Sequence, residues 1–231
     1  MSVKRAYANA AAQPVSGGYA VLLDARTLAT PAQKPFVAPT AALAEAVAAE
    51  WNAQGERIAP ATMPLTRLCF AAIARSGARD DLIAHVARYA ETDLVSHRAE
   101  GPAALAARQA AAWDPLIAWM KAAMDVALPV TASITAGALA APCRARVLAA
   151  AGALDDFKLT ALAQGAGLSG SAAIGFALLA GRIGAEEAFA AAELDALFSL
   201  ETWGEDEEAR FRLERIRQEF AELAQFLALL G

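Results

Sequence analysis

Apolar positions along the chain change their spacing once, near residue 40. Before that point they come in short runs. Val3-Lys4-Arg5-Ala6-Tyr7 and Tyr19-Ala20-Val21-Leu22-Leu23 read as strands, separated by a hairpin-type connection at Pro14 and Gly17-Gly18. Asp24-Ala25 turns the chain into Arg26-Thr27-Leu28, which stops at Pro31, and Pro35 and Pro39 restrict any further strand to a short edge piece. Beyond Pro39 the period becomes helical. Thr40 supplies an N-cap, Leu43, Val47 and Trp51 recur on one face, Glu45 falls early where the helix dipole favours an anion, and Gly55 ends the element. Met63-Pro64-Leu65-Thr66-Arg67-Leu68 opens a second helix that runs through Ile73 to Gly77, and Asp80-Asp81 starts a third carrying Leu82, Val86 and Tyr89.

From Pro102 onward almost every stretch carries the helical period. The pattern predicts helices over 105–124, from Pro142, over 153–163, over 171–179 and over 185–198. A last helix starts at about Asp206 and repeats Phe211, Ile216, Phe220, Leu223 and Leu227. No period of 20–50 residues recurs, which excludes a solenoid. The expected architecture is a small α+β domain, mainly antiparallel sheet with helices, over 1–100. An all-α domain over 101–231 follows, with the boundary near Glu100-Gly101-Pro102.

Composition narrows what such a chain can do. With 57% hydrophobic and 19% charged residues over 231 positions, and a mean hydropathy of +0.34, it buries a core and is not disordered. Much of the apolar share is alanine, which suits close-packed helices. The most apolar stretch, 168–183, is broken by Ser169, Ser171 and glycines and closed by Arg182, so it reads as a buried core helix. A membrane span needs about 20 apolar residues. A net charge of -5 and a pI near 5.1 argue against a protein that grips nucleic acid through a broad basic face. Two cysteines, Cys69 and Cys143, and two histidines, His85 and His97, predict neither a disulfide scaffold nor a metal site. The basic N-terminal residues lack an apolar signal region behind them, and a reducing bacterial cytoplasm is the expected location.

Two segments invite a chemical reading. Gly165-Ala166-Gly167-Leu168-Ser169-Gly170 matches the dinucleotide fingerprint, with Glu186 at roughly the required distance. That motif works only after a parallel strand, where glycines admit a pyrophosphate to a helix N-terminus. Here the preceding residues, from Asp155-Asp156 through Ala163, read as a capped helix, which makes a tight helix–helix corner the expectation. A nucleotide- or small-molecule-binding enzyme using this cluster is the alternative function. No nucleophile elbow, zinc-protease or phosphate-loop pattern occurs, His85 reads as a rim residue, His97 as hydrogen-bonded structure, and Cys69 as core. No catalytic, cofactor-binding or metal-binding residue is expected. The second segment, Glu201-Thr202-Trp203-Gly204-Glu205-Asp206-Glu207-Glu208, holds five carboxylates in eight residues. Asp206 can cap the last helix, with Glu207 and Glu208 in its first turn and Trp203 folded back on the bundle. Crowded carboxylates beside an aromatic also suit a docking surface for a basic partner.

Six motifs in order resemble the ATP synthase assembly chaperones of the "ATP-twelve" type, over nearly the whole chain. Leu23-Asp24-Ala25-Arg26-Thr27-Leu28-Ala29-Thr30-Pro31 is similar to the family's opening LDGR-x-L-x-TP, and Ala49-Glu50-Trp51-Asn52-Ala53-Gln54 to its EWDAQ helix end. The run from Met63 to Leu68 matches MPLTRL. Tyr89 with Thr92-Asp93-Leu94 and Arg98 resembles Y-x-x-TDL and its arginine. Gln109 with Trp113-Asp114-Pro115-Leu116 and Trp119 fits Q-x-x-x-WDPL-x-x-W, and the segment from Glu201 to Ala209 fits E-x-WGEDEEA. The chain departs at Ala25 and His97, where the family prefers Gly and Tyr, and at Ala196 and Ser199, where it has an acid and Gln.

The resemblance implies a non-enzymatic chaperone without cofactor, which holds the unassembled α subunit of the F₁ head until it joins β. It implies the same two-domain fold, a cytoplasmic location in bacteria and a mitochondrial matrix location in eukaryotic relatives, with no nucleic-acid partner and no stable membrane insertion. A generic helical interaction module with another client is the blander alternative. Glu201, Trp203, Glu205, Asp206, Glu207 and Glu208 are the candidate partner-binding residues, whereas Trp51, Arg67, Asp93, Trp113 and Asp114 are read as residues that pack the fold.

Overall fold

The computed structural model describes residues 3–74, 78–133, 137–204 and 206–231. The chain divides into two compact units. One comprises Met1–Arg79 with Asp156–Thr160 and Gln225–Gly231, the other Asp80–Asp155 with Ala161–Ala224.

The first unit holds a three-stranded antiparallel sheet in the order β1-β2-β3, from β1 (Ala10–Val15), β2 (Gly18–Leu23) and β3 (Arg26–Thr27). Register runs from Ala10 opposite Leu23 to Val15 opposite Gly18, so Ser16-Gly17 is the turn. Gly17 sits at φ +85°, as such a turn requires. Gly18 is needed for another reason: a Cβ there would lie 2.3 Å from the Ala38 carbonyl oxygen.

The partner of β2 is therefore 10–15 and not the expected run at 3–7. The alanines of β1 carry little strand preference, and the tight turn selects them by register. Pro14 is tolerated because β1 is an edge strand, and the Asp24 N–H to Asn9 carbonyl bond of 2.8 Å gives the odd-numbered residues of β1 to the ladder. The outward amide and carbonyl of Ala10 are closed by Asn52, whose side chain accepts at 2.7 Å and donates at 2.8 Å. Residues 3–7 run instead beside 56–58, with the Arg5 and Ile58 amides donating to Glu56 and Val3. The Arg5 guanidinium is held by the carbonyls of Asn52, Gln54 and Ala8.

Helix α1 (Ala41–Asn52) begins as the sequence predicts, with Thr40 Oγ1 accepting from the Leu43 amide at 3.2 Å. Leu43 and Val47 are fully buried. Glu50 faces the start of α2 (Pro64–Ala74), accepting from the Leu65 amide at 2.7 Å, the Thr66 amide at 2.8 Å and the Thr66 hydroxyl at 2.6 Å. A carboxylate on unpaired N-terminal amides is a strong helix cap, and it explains why Glu50 and the run Met63 to Leu68 occur together. Gln54 pins the intervening turn, accepting from the Ala59 amide at 2.8 Å and donating to Thr62 Oγ1 at 3.2 Å.

The helices beyond are α3 (Arg79–Glu91), α4 (Ala103–Met124), α5 (Ala141–Gly152), α6 (Asp156–Ser169), α7 (Ala172–Leu179), α8 (Ala185–Ala192), α9 (Leu194–Trp203) and α10 (Glu207–Leu230). The expected helix over 185–198 is two helices, broken at Glu193, where φ -105° and ψ 19° leave helical geometry. The expected helix over 153–163 starts three residues later and runs on through Gly165 and Gly167. The glycine run lies within α6 and its C-terminal turn, where Gly170 has φ +69°. The residues leading into it are helical and not a strand, so the context of a dinucleotide site is missing. Gly165 serves the α6–α7 corner, where a Cβ would lie 3.4 Å from the Gly175 Cα, and on the facing helix a Cβ on Gly175 would meet the Ala166 nitrogen at 3.0 Å and the Leu162 oxygen at 3.2 Å. Ser171 caps α7 by accepting from the Ile174 amide at 3.1 Å.

Candidate functional site

Helix α9 ends where Gly204, at φ +97°, turns the chain away. Trp203 does not fold back on the bundle: it is 85% exposed. Burial of an aromatic needs a surface returning over it, and among the described residues none does. Glu201 lies on the same exposed helix end, paired with Arg108 at 2.5 Å, while the Arg108 guanidinium also sits 5.1 Å from the Phe198 ring centre. Glu205 falls outside the described residues. Asp206 behaves as the expected cap, its Oδ1 accepting from the Glu208 amide at 3.0 Å and its carbonyl from the Arg210 amide at 3.0 Å. Glu207 and Glu208 occupy the exposed first turn of α10, where the helix dipole favours them.

Phe211 repeats with Ile216, Phe220, Leu223 and Leu227 in the sequence, but it does not share their side of α10: it is 74% exposed. The buried stripe runs through Leu213, Phe220, Leu223, Phe226 and Leu230. Phe211 precedes Leu213 by two residues, about 200° around a helix. The sequence signal that could have found it is this phase offset. The arginines beyond Phe211 engage other acids, Arg212 with Glu193 at 2.9 Å and Arg217 with Glu186 at 3.4 Å. The surface near Gly204 thus combines two exposed aromatics with four described carboxylates.

A second constellation gathers motif residues into structure. Trp113 is buried, its Nε1 donating to the Ala191 carbonyl at 2.9 Å, with the Arg98 guanidinium 5.1 Å from its ring centre. Arg98 reaches Asp114 at 2.6 Å and the Val95 carbonyl at 2.6 Å. Gln109, also buried, donates to Asp195 at 2.8 Å and accepts from the Ala99 amide at 2.8 Å. Asp93 is buried completely. Its carboxylate accepts from the Val95 amide at 3.2 Å and the Ala173 amide at 3.0 Å, with the Ser171 hydroxyl and Ala172 amide also bonded to it. Burial nevertheless dominates and pushes the Asp93 carboxyl up to about 6. Asp93 thereby ties the end of α3 to the start of α7.

In the first unit Trp51 is half-buried, its ring 5.7 Å from that of Tyr7. The Tyr7 hydroxyl donates to the Trp51 carbonyl at 2.6 Å. Arg67 stands on the exposed side of α2. Cys69 is buried, which raises its thiol well above the usual range and makes it unreactive. Among the described residues no cluster of three or more histidine, cysteine or carboxylate side chains is arranged to hold a metal, and no helix is long and apolar enough to cross a membrane.

A small antiparallel α+β unit, a helical unit, and an exposed helix end rich in aromatics and acids together define a protein whose surface chemistry suits another polypeptide. The family profile for "ATP12 chaperone protein" matches residues 4–121, just over half of the chain. The chain belongs to that family and is a chaperone of the ATP12 kind. The crystal structure of Atp12 from Paracoccus denitrificans is 38% identical, with a TM-score of 0.93 over 99% of this chain and 98% of that one. An aspartate-to-lysine mutant of the same organism's Atp12p gives 0.94 at 37% identity over the same shares. The Atu1473 protein of Agrobacterium tumefaciens gives 0.92 at 33% identity, over 100% of this chain and 87% of that one.

Proposed function

We propose that this chaperone serves assembly of the F₁ head of ATP synthase, binding the unassembled α subunit and preventing its aggregation until it joins β. An obligate interface exposed before its partner arrives is apolar and prone to aggregation. A protein that covers it needs exposed apolar anchors of its own and a charge pattern that fixes register. The observation that carries this reading is the exposure of Trp203 and Phe211 beside Glu201, Asp206, Glu207 and Glu208 in a chain of the ATP12 family. The aromatics supply contact energy, and the acids attract and orient a basic client surface. The protein works without a cofactor and without catalysing a reaction, in the bacterial cytoplasm where the α subunit is made. The test is co-purification of the tagged protein from its host: F₁ α is expected to dominate the eluate, and an eluate without it refutes the assignment.

A further inference from the structure

A groove of about 510 Å³ runs between α4, α8 and α9. Three contacts show how these helices lie: Arg108 meets Glu201, Gln109 meets Asp195, and Trp113 meets Ala191. Numbers rise along α4 as they fall along α9 and α8, so the helices are antiparallel and Glu201 stands at the Arg108 end. Leu116, Ala191 and Leu194 form a buried apolar floor, while Ala111, Pro115 and Ala190 are small exposed wall residues that leave the space open. Pro115 has no N–H, so the Ala111 carbonyl on that wall lacks its intrahelical donor. Arg182 and Glu187 also line the groove. This volume is in the range that encloses a bound group.

We infer that this groove receives an apolar segment of the client whose basic side chain takes the place of Arg108 on Glu201. The inference rests on the client reading above and names the segment's chemistry. Charge decides the orientation. Glu201 is the carboxylate at this end of the groove, and Asp206, Glu207 and Glu208 follow it in the chain outside the lining, which favours a cation there. The exchange is cheap. Arg108 and Glu201 are 51% and 58% exposed in their side chains, and ion pairs this exposed to water and salt contribute little. Displaced from Glu201, Arg108 keeps its contact with the Phe198 ring. The resident ion pair therefore shields the carboxylate from weak competitors and yields to a segment that also fills the apolar floor.

The test titrates purified unassembled F₁ α against this protein and two variants, with thermal unfolding measured in parallel. Ala190→Trp fills the groove from an exposed position and is expected to weaken binding about tenfold or more, with an unchanged melting temperature. Arg108→Ala removes the competitor and is expected to tighten binding about threefold, in keeping with the small worth of an exposed pair. An Ala190→Trp protein that is folded and binds like wild type overturns the groove. An Arg108→Ala protein that binds no better, or more weakly, overturns the exchange whether or not Ala190→Trp folds. Wild type that fails to retain α refutes the client assignment itself, and this inference with it.

Discussion

Asp93 offers the sharpest quantitative test of how the helical unit is held. Four donors converge on its carboxylate, from Val95, Ser171, Ala172 and Ala173, and each favours the ionised form. Complete burial opposes them and wins, raising the carboxyl from 3.8 to about 6. A raised acid is a destabilising feature at neutral pH: folding favours the protonated form, so this residue's contribution is greatest below pH 4. It declines as pH rises through about 6 and is flat above that. At 1.36 kcal/mol per unit, the decline between pH 4 and pH 7 comes to roughly 2–3 kcal/mol. Asp93→Asn removes the titration and keeps the shape. Urea denaturation of both proteins across that range isolates it, because other titrating groups cancel in the difference. Wild-type stability relative to the variant is expected to fall by that amount as pH rises. A difference that is independent of pH, or that grows in favour of wild type, refutes the claim that desolvation outweighs the hydrogen bonds.

The acidic helix end separates binding from stability. Glu201→Lys breaks an exposed ion pair and sets a second cation beside Arg108, and is expected to abolish α-subunit capture in a pull-down with a nearly unchanged melting temperature, since both side chains can turn into solvent. Asp206→Lys also removes a cap and is expected to cost about 1 kcal/mol in addition. Retained capture by both variants counts against the acidic surface. Trp51→Ala is expected to destabilise the first unit by about 2–3 kcal/mol in chemical denaturation, less than a fully buried aromatic, because the ring is half-buried. Full stability with lost capture makes Trp51 a contact residue instead. Gly175→Ala gains helix propensity but forces a Cβ to 3.0 Å from the Ala166 nitrogen, so a net loss of about 1–3 kcal/mol is expected. A stabilised variant shows that the α6–α7 corner relaxes.

Elements whose signals are local were readable in the chain. Thr40 before α1, Asp80-Asp81 in α3 and Ser171 before α7 mark their helices because a cap acts within three residues. The six ordered motifs were equally readable, and much of their meaning proved to be mutual: Glu50 caps the helix begun at Pro64, and Arg98 binds Asp114 while covering Trp113. β1 is not legible in the sequence because alanine and proline say little about strands; a turn and the side chain of Asn52 select it. The break at Glu193 leaves no mark in the sequence, because no glycine or proline stands beside it.

By itself, then, the amino-acid order determined fold class, most helix starts, the glycine corner and the cap at Asp206, since each depends on residues a few positions apart. Tertiary structure decided the rest. Trp203 and Phe211 are bare because no other described segment returns over them, and Glu201 is paired because folding brings α4 and α9 together from positions 93 apart. Residues 156–160 and 225–231 group with the first unit for the same reason. Exposure and long-range pairing are properties of what surrounds a side chain, and only the packed chain supplies the surroundings.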